Sequence, residues 1–297
     1  MEIATAVAVD TTGNVYITGE AGAEGAGGLD VLLVKYEAGS GDWLWTRMWG
    51  FSDNEAGTAV AIDAAGHILV AGTTDSLDPA LNTDLVLLKY DQAGNLLSSL
   101  AWGSPGIDEQ CSALSADATG VTLAGSITGT LSEEALVVRF DTGGTQLWAR
   151  SIGGETTDRG VAVTARPAGG VALAGILDEG GVLPRATLAF FDTGGGLVRE
   201  QVWTEAPSGL GTLVLDDGMY ILGGSAADNS GNWLVGSSEV TVLGDRSLTP
   251  AGYSINTPPS SLLFPSGTGS VPVGYVEDSG GGGSDALIIR YIPGSTI

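Results

Sequence analysis

The sequence predicts an all-β protein, and within that class a single β-propeller of six four-stranded antiparallel blades, the last of them incomplete. A pentapeptide ending in glycine recurs at intervals of 49 to 53 residues, at Gly19, Gly72, Gly125, Gly175, Gly224 and Gly274. The chain has 48 Gly among 297 residues with no collagen-like period, which is typical of many tight turns. Val, Leu, Ile and Thr cluster in short runs bounded by Gly and Asp, which is typical of strands, and no window shows the pattern of an amphipathic helix.

Each repeat contains four segments in the same order. The first is an apolar run such as TAVAVD, and the second is the run that carries the pentapeptide. The third is a run such as DVLLVKY (Asp30–Tyr36), and the fourth is a mixed run such as WLWTRMWG. A D-x-x-G turn separates the members of each pair: the Asp caps the turn by accepting backbone N–H groups, and the Gly supplies the positive φ that closes a short hairpin. The four segments are therefore predicted to form an antiparallel meander.

The packing of these meanders follows from their polarity. The first three segments are apolar almost throughout, so both faces of each sheet must be covered, and radial stacking of sheets achieves this. The fourth segment carries charges and is predicted to be the outermost strand, where they discourage aggregation of the edge. The predicted blades are residues 4–52, 53–106, 107–155, 156–206, 207–253 and 254–297.

The sixth unit departs from the pattern. Pro272 falls in its second segment, where it removes a ladder donor, and the sequence stops before a fourth segment. We expect the third segment, ALIIRY (Ala286–Tyr291), to be left at an open edge. An apolar edge is a template for another strand, so flanking sequence or a neighbouring subunit is expected to donate one. The alternative is a three-stranded last blade held by packing alone.

The repeat resembles a known family. The run LDVLLVKYEAGSGDWLWTRMWG, followed by FSDNEAGTAVAIDAAGHILVAG, is similar to the bacterial beta-propeller repeat, also called the seven-bladed beta-propeller or SBBP repeat. Units one to four match its pattern well, the fifth is weaker, and the sixth keeps mainly ALIIRY. The resemblance implies a secreted or cell-surface protein of bacteria or archaea, usually without assigned catalysis, so the expected location is extracellular, at the cell surface or in the periplasm.

Charge and residue content exclude several function classes. The formal net charge is −24, from 35 acidic and 11 basic residues. Such a surface repels phosphate backbones and anionic lipids, which excludes nucleic acid and membrane insertion, but it attracts cations or basic surfaces. With Cys111 as its one cysteine and His67 as its one histidine, the chain has little material for Ser–His, Cys–His or zinc chemistry. His67 occupies the turn position that Asn14 holds in unit one, which favours a structural role.

Acidic residues are predicted to gather on the face that carries the long second-to-third loops and the blade-to-blade connections. Calcium prefers six to eight oxygen ligands, and a ring of carboxylates could supply them; the alternative is a set of solvated acids or strand caps. The candidate ligands are Asp53, Glu55, Asp108, Glu109 and Asp158. The repeated tryptophans of the fourth segments are predicted to pack between blades. Trp43 and Trp233 break that pattern and are the candidate contact residues.

The sequence favours a non-catalytic binding, adhesion or scaffold module that binds a protein or a glycan at a surface. Its ligand face is expected where the variable loops lie, because function usually sits on variable loops over a rigid scaffold. One alternative is a carbohydrate-active enzyme that uses paired carboxylates at the axial mouth. Another is a calcium-stabilised unit of a larger assembly.

Overall fold

The structure is a computed structural model of the chain. It describes residues 2–22, 28–76, 82–129, 132–154, 157–177, 185–202, 207–216, 219–226, 232–238, 242–243, 261–263, 271–277 and 284–288. These residues form strands joined by turns and contain no helix. The prediction of an all-β chain built from four-stranded antiparallel sheets is confirmed.

The first three sheets are formed by strands that follow one another in sequence. Their strands are β1 (Glu2–Val9), β2 (Val15–Gly22), β3 (Leu29–Tyr36) and β4 (Trp43–Trp49); β5 (Glu55–Ile62), β6 (Ile68–Thr74), β7 (Asp84–Tyr90) and β8 (Leu96–Trp102); and β9 (Asp108–Asp117), β10 (Gly120–Thr128), β11 (Glu133–Asp141) and β12 (Gln146–Ile152).

The later sheets repeat the arrangement. Their strands are β13 (Arg159–Ala165), β14 (Val171–Leu177), β15 (Arg185–Phe191) and β16 (Leu197–Val202); β17 (Pro207–Asp216), β18 (Met219–Ala226), β19 (Asn232–Ser238) and β20 (Val242–Leu243); and β21 (Ser261–Leu263), β22 (Val271–Glu277) and β23 (Ser284–Ile288). Pro272 pairs with Leu262 in the three-stranded last sheet. The residues that follow β23 in sequence lie outside the described ranges, so strand donation stays a prediction.

The recurring glycine has a steric cause. In each of the first three sheets a β-bulge brings the first strand close to the second strand at this position. A Cβ at Gly19, Gly72 or Gly125 would overlap a carbonyl oxygen of the neighbouring first strand. Only glycine fits such a close approach of two backbones, which explains why the pentapeptide ends in Gly.

The core lies between consecutive sheets rather than at one centre. The first strand of each of the second to fourth sheets packs against several strands of the sheet before it. Leu69, Leu87, Val121 and Phe140 belong to one buried cluster between the second and third sheets. The fourth strands β4, β8 and β16 carry mostly exposed or half-buried side chains, as expected for outer strands. Among the described residues there is no helix that is long and apolar enough to cross a membrane.

Candidate functional site

Three of the five predicted calcium ligands are buried where a first strand begins. They are Glu55, Glu109 and Asp158. Glu55 accepts hydrogen bonds from the backbone N–H of Phe51 at 2.7 Å and from the hydroxyl of Thr74 at 2.9 Å. Asp158 accepts one from the N–H of Gly154 at 2.7 Å. Both carboxylates thereby fix a connection between consecutive sheets.

The other two predicted ligands are more accessible. Asp53 is half-buried, and its backbone N–H donates to the Ser76 hydroxyl at 3.0 Å. Asp108 is exposed and accepts a hydrogen bond from the N–H of Thr83 at 3.0 Å. Along the described ranges, no three His, Cys, Asp or Glu residues come together as a ligand set. Calcium binding therefore stays a prediction without a located site.

Carboxylates from consecutive sheets approach each other at two equivalent places. A Cβ at Gly50 would overlap Asp30 Oδ1 and would lie 2.5 Å from Glu55 Oε2. In the next sheet a Cβ at Gly103 would overlap Asp84 Oδ1 and would lie 2.7 Å from Glu109 Oε2. All four acids are buried. Because the arrangement recurs between two pairs of sheets, it belongs to the repeat rather than to one unique site.

The predicted contact tryptophans have different surroundings. Trp43 begins β4 with 61% of its surface exposed, and its indole N–H donates to the Thr46 hydroxyl at 2.9 Å. Trp233 lies on β19 and pairs with Gly224, while its side chain is outside the described part of the chain. The loops expected to form the ligand face are 20–29, 73–83, 126–134, 176–185, 225–232 and 276–284, and each of them lies partly outside the described ranges.

The opposite face carries the short turns, and most of those described are built on an Asp; the turns that begin at Glu37 and Arg166 are the exceptions to the predicted D-x-x-G pattern. Asp63 Oδ1 accepts the N–H groups of Ala65 and His67, both at 2.9 Å. The His67 ring bonds to Asp63 Oδ2 through Nδ1 at 2.8 Å. Asn14 makes the corresponding backbone and side-chain bonds to Asp10, each at 2.9 Å. The imidazole therefore takes the place of the Asn amide in the turn.

Basic residues of the third strands anchor two of these turns. Lys89 Nζ lies 3.1 Å from Asp63 Oδ2, and Arg139 Nη2 lies 2.8 Å from Asp117 Oδ2. Burial raises the pKa of Asp63, but its bonds from His67 and Lys89 outweigh burial and lower that pKa overall. Burial likewise raises the pKa of Asp117, and hydrogen bonds from Thr119 and Arg139 outweigh it. Both carboxylates are thus held in the charged form.

A cavity of about 440 Å³ opens on this face between the second and third sheets, and we call it the turn cavity. Its apolar floor is formed by Leu69, Leu87, Leu100 and Val121. Its polar wall is formed by Asp63, His67, Lys89, Ser98, Ser99, Asp117, Asp141 and the backbone of Thr142 to Gly144. This volume lies in the range of pockets that hold small ligands.

The cavity exists because two large side chains are missing from β8. Lys89 stands opposite Ser98 and Leu87 stands opposite Leu100. In the third sheet the equivalent partners on β12 are Trp148 and Arg150. In the first sheet they are Trp45 and Arg47 on β4. The second sheet therefore carries Ser and Leu where its neighbours carry Trp and Arg.

In the neighbouring sheets these side chains reach the next sheet. Arg47 donates to the carbonyls of Gly94 at 2.7 Å and Ala93 at 3.0 Å. Arg150 donates to the carbonyls of Gly195 at 2.8 Å and Gly194 at 3.5 Å, and the Trp148 indole donates to the Thr193 carbonyl at 3.0 Å. Among the described side chains, none donates in this way to the equivalent carbonyls of Thr142, Gly143 and Gly144.

The space around the equivalent glycine of each turn shows which gap between sheets is filled and which is open. A Cβ at Gly94 would lie 2.8 Å from Arg47 Nε, and one at Gly195 would lie 2.6 Å from Trp148 Cδ2. A Cβ at Gly144 would find its nearest atom, Leu100 Cδ2, at 4.0 Å. The third-sheet turn is therefore the open one of the three. Comparison of the fourth segments WLWTRMWG, LLSSLAWG and QLWARSIG could have indicated this cavity, because only the second lacks the W-x-R pattern.

Comparison with known proteins identifies the fold. No protein-family model matches the sequence, and no curated protein matches it. A protein of unknown function from Dyadobacter fermentans is similar in structure, with a TM-score of 0.61 at 13% identity over 98% of this chain and 95% of that one. The β-propeller domain of the Trilobed protease from Pyrococcus furiosus, described as having an open velcro topology, gives 0.55 at 11% identity over 97% and 85%.

A third similar structure is the Hadza microbial sialidase Hz136, with a TM-score of 0.55 at 11% identity. The alignment covers 91% of this chain and 64% of the sialidase. Identities this low carry the fold and nothing about activity. The chain is therefore a β-propeller.

Proposed function

We propose that this chain is a six-bladed propeller that acts as a non-catalytic binding module, with the turn cavity as a ligand site. Five four-stranded sheets and one three-stranded sheet, each built from consecutive strands, support the blade count. Its test is a crystal structure, in which we expect six sheets around one axis. A different number of sheets would overturn the count.

The observation that carries the binding role is the turn cavity itself. It combines an apolar floor with a polar wall, which is the usual composition of a ligand pocket. Two of its acids are engaged in structural contacts: Asp63 with Lys89, and Asp117 with Arg139. A carboxylate held charged by such contacts suits electrostatic recognition better than proton transfer at neutral pH, because a general acid–base group needs a pKa near the working pH.

The enzyme alternative would use paired carboxylates, and the part of the chain that the structure describes holds two such pairs, Asp30 with Glu55 and Asp84 with Glu109. Their burial keeps substrate away from them, and their recurrence between two pairs of sheets indicates a structural role. A secreted or cell-surface location accords with the repeat family that the sequence resembles. A protein or glycan at that surface remains the proposed class of partner.

The test compares binding with turnover. Fluorescently labelled protein is applied to arrays of glycans and short peptides, and the same protein is incubated with chromogenic glycosides. A Ser98→Cys variant is labelled with a bulky maleimide after folding to block the turn cavity. Cys111 does not compete for the label, because it is buried and burial raises the pKa of its thiol to about 11.

We expect ligands on the arrays whose binding is lost in the blocked variant, and no glycoside turnover. Unmodified Ser98→Cys is the matched control and should bind as the parent protein does. Glycoside hydrolysis that disappears in Glu55→Gln or Glu109→Gln would overturn the binding proposal in favour of the enzyme. Array binding that the block does not affect would overturn the choice of the turn cavity.

A further inference from the structure

The turn cavity has the shape and chemistry of a missing arginine site, and we propose that it binds the guanidinium group of an arginine side chain from a basic polypeptide partner. The proposal rests on the proposed binding function and names the ligand class. It starts from the equivalence of three fourth strands, in which the pair Trp45 and Arg47 and the pair Trp148 and Arg150 correspond to Ser98 and Leu100.

The acceptor geometry of the site can be read from the two equivalent places where an arginine is present, Arg47 between the first and second sheets and Arg150 between the third and fourth. There the Arg side chain donates from Nε to the glycine carbonyl of the next sheet's turn and from Nη2 to the carbonyl one residue earlier. The turn of the third sheet keeps the same form: Gly144 N donates to Asp141 O at 3.1 Å, as Gly94 N donates to Asp91 O at 3.0 Å. The carbonyls of Gly143 and Gly144 therefore form a ready-made pair of acceptors on the wall of the cavity.

Arginine fits this pair better than lysine does. The guanidinium presents several N–H donors in a rigid planar fork, whereas an ammonium is a point charge. The fork can reach both carbonyls together, as Arg47 does. The space left by the absent indole accommodates an apolar or aromatic neighbour of that arginine above the floor of Leu69, Leu87 and Val121.

Charge favours the same ligand. Three carboxylates line the turn cavity, from Asp63, Asp117 and Asp141. Lys89 pairs with Asp63 and Arg139 pairs with Asp117, so the net negative charge comes from Asp141. Hydrogen bonding lowers the pKa of Asp141, chiefly through the backbone N–H of Thr145, so this acid is charged at neutral pH. The chain as a whole carries a net charge of −24. A surface of this sign draws basic segments toward itself and raises their association rate.

The test uses the tripeptide acetyl-Trp-Ala-Arg-amide, whose side chains repeat those that fill the neighbouring gap. Its matched control is acetyl-Trp-Ala-citrulline-amide, which has nearly the same shape without the charge. Isothermal titration at low ionic strength should show binding of the arginine peptide. Since hydrogen bonds to charged groups are the stronger ones, the citrulline peptide should bind at least about tenfold more weakly.

Three variants locate the binding. Ser98→Trp/Leu100→Arg fills the turn cavity with the side chains of the neighbouring sheets and should abolish binding. If that variant does not fold, Ser98→Cys carrying the maleimide block answers the same question, because it is modified after folding. Trp45→Ser/Arg47→Leu should open an equivalent cavity between the first and second sheets and raise the stoichiometry from one peptide to two.

The outcomes separate this inference from the proposed function. Equal binding of the two peptides, or peptide binding that survives the block, overturns the assignment of a guanidinium. If array ligands are lost on blocking but the arginine peptide does not bind, the turn cavity remains a binding site and only the ligand class is wrong. If the arginine peptide binds more tightly than the citrulline peptide and the block removes its binding, the assignment stands whatever the arrays show.

Discussion

Arg139 Nη2 lies 2.8 Å from Asp117 Oδ2, and the guanidinium also donates to the hydroxyls of Thr119 and Thr122. Only 5% of the Arg139 side chain is exposed. The contact ties the third strand of the third sheet to the turn between its first two strands. Lys89 and Asp63 make the same connection in the second sheet. The polar contact between third strand and turn therefore occurs within both the second and the third sheet.

Arg139→Leu should lower the free energy of unfolding by about 1.5–3 kcal/mol, because the hydrogen bonds of a nearly buried guanidinium to Asp117, Thr119 and Thr122 are lost. Urea denaturation measures the change. The matched control is Arg159→Leu, which removes an arginine that is 61% exposed and lies 3.4 Å from Glu133. That exposed pair should contribute no more than about 1 kcal/mol. Equal changes in the free energy of unfolding for the two substitutions would contradict the larger stabilising contribution assigned to Arg139.

Stability should fall in acid, because several turn carboxylates have lowered pKa values. Hydrogen bonds lower the pKa of Asp10, Asp63, Asp117 and Asp141 below the ordinary carboxyl value. A group with a lowered folded-state pKa stabilises the fold above its unfolded pKa, and this contribution is lost as the pH drops through the folded value. Urea midpoints should therefore be steady near neutrality and decline below about pH 4. A midpoint that rises on acidification would show the opposite sign.

His67→Asn should leave the free energy of unfolding within about 0.5 kcal/mol of the parent value, since Asn14 and Asn95 make the same bonds to their turn aspartates. His67→Ala serves as the comparison and should cost about 1 kcal/mol, because the side-chain bond to Asp63 is lost. Thermal and urea unfolding check both variants. A large loss of stability in the Asn variant would mean that the imidazole does more than complete the turn.

Gly103→Ala should destabilise the chain by about 1–3 kcal/mol, because the added methyl group would collide with the buried carboxylate of Asp84. Gly154→Ala is the control, since a Cβ there meets nothing within 4 Å. Calorimetric unfolding of the two variants measures the difference. If Gly103→Ala is as stable as the control, the buried acids move aside more easily than their contacts indicate.

The sequence alone determined the strand order, the turn chemistry and the outer position of the fourth strands. These features follow from local rules: a period of about 50 residues, the capping of a turn by Asp10 or Asp63, and glycines where two backbones approach. The identity of His67 as a turn residue followed in the same way, from its alignment with Asn14.

What only the tertiary structure decided is which side chains meet across consecutive sheets. Glu55 lies near Asp30 of the preceding sheet, beside Gly50, and the burial of these two acids could not be inferred from an acidic loop. The turn cavity likewise depends on Ser98 and Leu100 of one sheet facing Gly143 and Gly144 of the next. A repeat pattern specifies each sheet by itself, because its hydrogen bonds are local, but the space between sheets is set by side-chain volumes contributed from both sides.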